Sequence, residues 1–295
     1  MSSDELNKSN QNNQIFDRCS HSTSNISQDE NTTGQKNKIF SRCSESPIDI
    51  NVINTQQIQL PELKWMNYDK CPERMELTNS GETLILLPDW NEETPYVQGG
   101  PFEEDYIFSR IHFHWGQSVN GSEHTVDGVR MPLEMHAIHF KKEYLKMKLA
   151  KEYDDGMLIM VYFLELKSNH NPILDRLLSK LSHIQHADTK LFIEPFPIDD
   201  LLKPFLSDYY MYYGSIVTSE PTPVHWLVAR QVIALSPEQL KLFHQLRKPN
   251  DVTIYDNARK ANPFTNQLIY HVNPTHRFTN STLSPIPVLC KKQFE

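Results

Sequence analysis

Cysteine is scarce: four residues, at 19, 43, 71 and 290, in a chain of 295. No two stand in a Cys-x-x-Cys pair, so a disulfide framework and a thiolate metal site built on that motif are both excluded. Long apolar runs are absent too. Nothing approaches the roughly 20 residues of a membrane-spanning helix. The opening Met1-Ser2-Ser3-Asp4-Glu5 has none of the character of a secretory leader. Basic charge is also in deficit, with 29 Lys and Arg against 37 Asp and Glu for a net −8, and no basic stripe suits nucleic acid. These absences describe a cytoplasmic chain with neither membrane nor nucleic acid as a partner. Its length suffices for one sizeable core without requiring two domains.

The chain divides by composition. Residues 1–44 are rich in Asn, Ser, Gln and Thr and are expected to be a disordered polar extension. Ile15-Phe16-Asp17-Arg18-Cys19-Ser20-His21-Ser22 nearly repeats as Ile39-Phe40-Ser41-Arg42-Cys43-Ser44-Glu45-Ser46, read as a local duplication at the domain's edge in preference to a short binding motif. The folded domain is placed at 45–273, with a tail at 274–295. Short alternating runs between Gln57 and Leu87, broken by Pro61, Pro72 and Asn79-Ser80-Gly81, read as strands. Met157–Leu166 is almost continuously apolar, the mark of a buried central strand, and Trp226–Leu235 reads as a further strand. Two helices are expected. One begins at Asn171-Pro172 and carries Ile173, Leu174, Leu177, Leu178, Leu181 and Ile184 on one face; the other begins at Ser236-Pro237-Glu238. Many strands with a few helices make a sheet-centred α+β domain.

The densest chemistry lies between Ile107 and Phe140, which hold five of the 13 histidines. His112 and His114 are two apart in an apolar run, so on a strand both imidazoles share a face. Asn120-Gly121 and Asp127-Gly128 mark a turn-rich link to a second alternating run from Leu133 to Phe140. If the two runs pair antiparallel, His136 faces the first two histidines. Three imidazoles on two rigid strands with a fourth position open suit a catalytic zinc ion; the alternative is a set of packed histidines satisfied by backbone groups.

The phrases HFHWG, GSEHTVDG and P-x-E-x-H-x-x-H-aromatic resemble the α-class carbonic anhydrases over roughly residues 45–273. The resemblance implies a single domain on a large, mostly antiparallel twisted sheet, with Zn²⁺ at the base of a conical cleft. It implies a monomeric enzyme that hydrates CO₂ reversibly to bicarbonate through hydroxide at the zinc. By matching positions, His112, His114 and His136 are the metal ligands. Glu134 accepts from His136, the backbone at Asn257 accepts from the middle ligand, and Arg110 stands where a glutamine should accept from His112. Glu123 is the buried glutamate that orients the hydroxide through a threonine. His124 and His139 take structural places around the site. Ile138, Ile159, Ile216, Val217, Val224 and Trp226 line the CO₂ pocket, and Ser46-Pro47 matches a cis-proline phrase at the start of the sheet.

Several positions depart from the family pattern. Val217 occupies the threonine's place in a loop one residue shorter, and Thr218 is the candidate replacement. Arg110 offers no acceptor. Glu82 follows Asn79-Ser80-Gly81 where a proton-shuttling histidine is usual, and a carboxylate is too acidic to shuttle well at neutral pH. These changes point to slow turnover. They also leave open a catalytically weak or inactive relative that serves as a binding module.

Overall fold

The computed structural model describes residues 44–216, 221–262 and 267–273. Most of the duplicated segment, nearly all of the polar extension, the tail, Val217 and Thr218 lie outside them.

One open 14-stranded sheet organises the chain. Its central strands, in spatial order, are Leu84–Asp89, Phe102–Trp115, Leu133–Lys141, Met157–Leu166, Thr222–Ala229 and Tyr209–Ile216. Most neighbours run antiparallel. Met157–Leu166 is an exception, pairing in parallel with Thr222–Ala229. Both faces of the sheet are covered. One carries the large core of Ile111, Phe113, Met135, Met160, Tyr162 and Leu227; the other carries Ile138, Ile159, Val161, Tyr212, Val224 and Trp226. Burial on both faces explains why Met157–Leu166 is apolar at every position but Glu165 instead of alternating.

The two histidine strands pair antiparallel with His136 directly opposite His112 and Glu134 opposite His114. Near Ile138 the register shifts: Ile138 pairs with Arg110 but His139 pairs with Phe108, leaving Ser109 as an extra residue. This bulge reverses which side chains face the core. Before it, Tyr106 and Phe108 point into the larger core; after it, Ile111, Phe113 and Trp115 do. Arg110, His112 and His114 are thereby turned to the opposite face.

His139 thus lies within the larger core, fully buried. Its Nδ1 is 3.0 Å from the Ala137 carbonyl, which can only accept, so Nδ1 carries the proton. Nε2 must then accept from the Tyr68 hydroxyl at 2.5 Å. Burial pushes His139 down to about 3 from an ordinary 6.5. The imidazole is neutral in the fold and gains a proton only on unfolding, so its contribution is complete above pH 6.5 and falls as the pH drops towards 3. At pH 5 this one residue is expected to cost about 2 kcal/mol. Urea titrations at pH 7.5 and pH 5 should show a smaller loss in His139→Gln than in the parent; equal losses would contradict the assignment.

Helices are shorter than their apolar stripes suggest. Pro172–Leu178 is α-helical, capped by Asn171 Oδ1, which accepts from the Ile173 amide at 3.1 Å. The stripe then continues in a separate 3₁₀ turn, Leu181–His183. Pro237–Phe243 carries a capping box in which Ser236 and Gln239 satisfy each other's backbone amides. The expected strand Trp226–Leu235 is two strands, Thr222–Ala229 and Ile233–Leu235. It breaks at Arg230, whose guanidinium is drawn to Asp208. The Ser46-Pro47 peptide is cis.

Candidate metal centre

The link between the histidine strands is a built structure. Asp127 and Gly128 both have positive φ, and the amides of Val126 and Val129 each donate to the other's carbonyl at 3.1 and 3.0 Å. This is the two-residue hairpin that Asp-Gly favours. Earlier in the link, a Cβ at Gly121 would stand 1.9 Å from the Pro132 oxygen and 2.2 Å from the Gly116 nitrogen, so only glycine permits the crossing. Ser122 Oγ then donates to the His124 carbonyl at 2.7 Å and accepts from the Met131 amide at 2.8 Å. These constraints deliver Glu123 and His124 to the histidine face, both almost fully buried.

Two carboxylates organise the cluster. Glu134 is wholly buried and takes three contacts: the His124 amide at 2.8 Å, His124 Nδ1 at 2.7 Å and His136 Nε2 at 2.5 Å. Burial alone would neutralise it, but the two imidazoles and their hydrogen bonds hold it well below the usual carboxylate range. His124 Nε2 continues to the Tyr212 hydroxyl at 2.6 Å, which donates to Ser46 Oγ at 3.0 Å. His124 Nδ1 donates to Glu134, which can only accept.

Glu123 is gripped by Arg259. Arg259 Nε reaches Oε1 and one terminal nitrogen reaches Oε2, each at 2.8 Å, and the Arg259 amide adds a third bond at 3.2 Å. Burial opposes ionisation of Glu123, yet His114 and the Arg259 bonds hold it at about 2. Sequence reasoning assigned Arg259 no role. Its signal was present: a buried glutamate demands a cation, and Arg259 stands two residues past Asn257.

The imidazoles gather around these acids. His114 Nδ1 lies 3.4 Å from Glu123 Oε1, and the rings of His114 and His136 are 4.5 Å apart. Donor atoms of His114, Glu123 and His136 lie within 4.8 Å of one another, as do those of His124, Glu134 and His136. His112 belongs to neither trio; its Nε2 is buried without a hydrogen-bond partner among the described residues. Burial, reinforced by the charges of His114 and Arg110, lowers His112 to about 3. Burial likewise lowers His114 to about 4, although Glu123 opposes the shift. Both are neutral at pH 7, the form that binds metal.

The remaining residues singled out from the sequence divide into those near the cluster and those away from it. Ile138, Ile159, Val224 and Trp226 are buried in one apolar layer, with Ile216 half-buried against it. Trp226 stands 5.3 Å from His136, ring to ring. Asn257 does something other than accept from His114, whose Nδ1 makes no hydrogen bond among the described residues. Its side chain staples the strand instead, accepting from the Trp115 amide at 2.8 Å and donating to the Phe113 and Glu82 carbonyls at 2.9 and 3.1 Å. Glu82 itself is exposed and makes contact through its backbone. Arg110 shares the histidine face, half-buried.

The sequence matches the eukaryotic-type carbonic anhydrase family over residues 24–273. Among curated proteins it is 31% identical to human carbonic anhydrase 6 over 240 residues, covering 78% of this chain and 76% of the relative. It is 32% identical to mouse carbonic anhydrase 7 over 229 residues, covering 75% and 86%. It is also 31% identical to human mitochondrial carbonic anhydrase 5A over 230 residues, covering 75% and 74%. The last of these corrects the cytoplasmic location expected from the sequence. A relative that is mitochondrial by name shows that this kinship carries no cytoplasmic address, and the opening residues locate nothing. Among the described residues no helix is long and apolar enough to cross a membrane.

Proposed function

Because the chain belongs to the eukaryotic-type carbonic anhydrase family, we propose that it interconverts CO₂ and bicarbonate at a zinc ion held by His112, His114 and His136. One observation carries the reading: His112 faces His136 across two paired strands, with His114 on the same face, beside two buried carboxylates that are already spoken for. The donor set fits zinc. His136 gives its Nε2 to Glu134 and keeps Nδ1 for a metal. His112 Nε2 is a buried nitrogen without a partner among the described residues. Glu123 is near enough to be taken for a ligand, but Arg259 occupies both its oxygens. It is read as an anchor for that reason. Bound zinc supplies the Lewis acid that acidifies water to near neutral pH, an effect for which carbonic anhydrase is the standard example.

The protein's own groups then have definable tasks. Glu134 accepts the His136 proton, fixing its tautomer and ring direction. Ile138, Ile159, Val224 and Trp226 give a dry wall on which CO₂ can rest. Val217 takes the place of the threonine that would pass a hydrogen bond to Glu123, and it can neither donate nor accept; Thr218 is the nearest hydroxyl in sequence. Glu123 does not go unpaired for lack of that threonine, since Arg259 satisfies it. With Glu82 exposed and no histidine in its place, proton release depends on buffer.

Stopped-flow hydration of CO₂ by zinc-loaded protein is the test. The expected trace exceeds the buffer background, is suppressed by a sulfonamide, and steepens as buffer concentration rises. Val217→Thr should raise kcat about ten- to a hundred-fold, the worth of one charge-assisted hydrogen bond. A flat trace from zinc-loaded protein would remove the enzymatic reading and leave the fold to the binding-module alternative.

A further inference from the structure

Arg110 is the departure from the family that the proposed reaction does not absorb. It stands on the histidine face two residues before His112, opposite Ile138 of the apolar wall. The guanidinium is half-buried, yet among the described residues no carboxylate pairs with it. Its one hydrogen bond to a described residue is from Nε to Ser109 Oγ at a long 3.4 Å. A half-buried arginine without an acid is costly, because its donors lose water without gaining an anion. Ser109, the bulged residue, also ties this spot to the short helix Met147–Ala150 through Met147 Sδ at 3.8 Å. The next residue is Lys151, whose amide donates to the Met147 carbonyl at 3.2 Å. Both Arg110 and Lys151 act on the His112 ring.

We propose that Arg110, aided by Lys151, forms a subsite on the histidine face for a small planar oxyanion, with bicarbonate as its occupant. The fork of the guanidinium presents parallel donors that match two oxygens of such an anion. A cation beside an apolar wall separates the two forms of the substrate: CO₂ rests on the wall and bicarbonate is drawn to the rim. The inference rests on the CO₂ and bicarbonate reading of this cleft. Its test uses zinc-free protein, so failure of one does not imply failure of the other.

The arginine Nε–Hε resonances of ¹⁵N-labelled, zinc-free protein would be followed during titration with sodium bicarbonate at constant ionic strength. One resonance should shift and saturate, and formate should shift the same one. Arg110→Gln should abolish the response. Lys151→Gln should weaken binding about three-fold, the usual worth of an exposed charge. A shift that never saturates, or one that persists in Arg110→Gln, would overturn the subsite. Inorganic phosphate binding more tightly than bicarbonate would also overturn it, reassigning the site to a larger dianion.

Discussion

Glu134→Leu should cost the domain about 3–5 kcal/mol, the range expected when one partner of a buried ionic cluster is removed. No solvent reaches this carboxylate, and three donors converge on it: the His124 amide, His124 Nδ1 and His136 Nε2. Leucine fills the space and leaves all three orphaned in a dry interior, where each missing acceptor is expensive. Glutamine is no rescue, because its amide nitrogen would confront a donor. The loss would also reach the metal. Without an acceptor for its Nε2 proton, His136 is free to change tautomer and turn, and zinc affinity should fall about ten- to a hundred-fold. Urea unfolding of zinc-free protein measures the first effect, and competition with a chelator measures the second. A variant within about 1 kcal/mol of the parent would show that Glu134 does not organise this cluster.

Arg259→Met should be the second most damaging change. Glu123 is 1% exposed and ionised, and among the described residues Arg259 is its one ion-pair partner besides the imidazoles. Breaking such a pair usually costs more than the pair contributes, since a buried charge is left behind. Arg259 is 40% exposed, and water can replace part of what it supplies, so the expected loss is about 2–3 kcal/mol. A pH signature accompanies it. In the parent, Glu123 at about 2 lies below its ordinary 4.5, so its stabilisation is complete above pH 4.5 and declines only as the pH falls towards 2. With the guanidinium gone, burial raises the carboxyl and that stabilisation disappears. Stability measured from pH 8 down to pH 4 should show the parent and the variant differing most at the upper end. A constant difference across the range would mean that Arg259 acts through packing instead of charge.

Local signals in the sequence carried the architecture and much of the site. Alternation around His112-Phe113-His114 and Glu134-Met135-His136 specified both strands and their shared face. Asp127-Gly128 specified the hairpin between them. Met157–Leu166 announced a strand buried on two sides. What escaped notice depends on partners distant in sequence. The Ser109 bulge exists only relative to the second histidine strand, so no reading of the first strand alone could place it. Arg230 interrupts an apolar run because Asp208, at the start of the neighbouring strand, draws it aside. Asn257 looked like a backbone acceptor for an imidazole and instead staples strand carbonyls with its side chain. Arg259 sits 136 residues from the glutamate it holds. Val217 and Thr218, on which the expected turnover most depends, lie outside the described residues.

The most direct test of the central claim is the exchange of ¹⁸O from labelled bicarbonate into water, followed by mass spectrometry on protein loaded with one zinc per chain. It reports interconversion of CO₂ and bicarbonate at chemical equilibrium, where no net proton release is needed for exchange to proceed. The predicted result is exchange faster than in protein-free solution, lost on chelation, restored by zinc and absent in His136→Ala. Zinc-loaded protein that leaves exchange at the uncatalysed rate would contradict the claim.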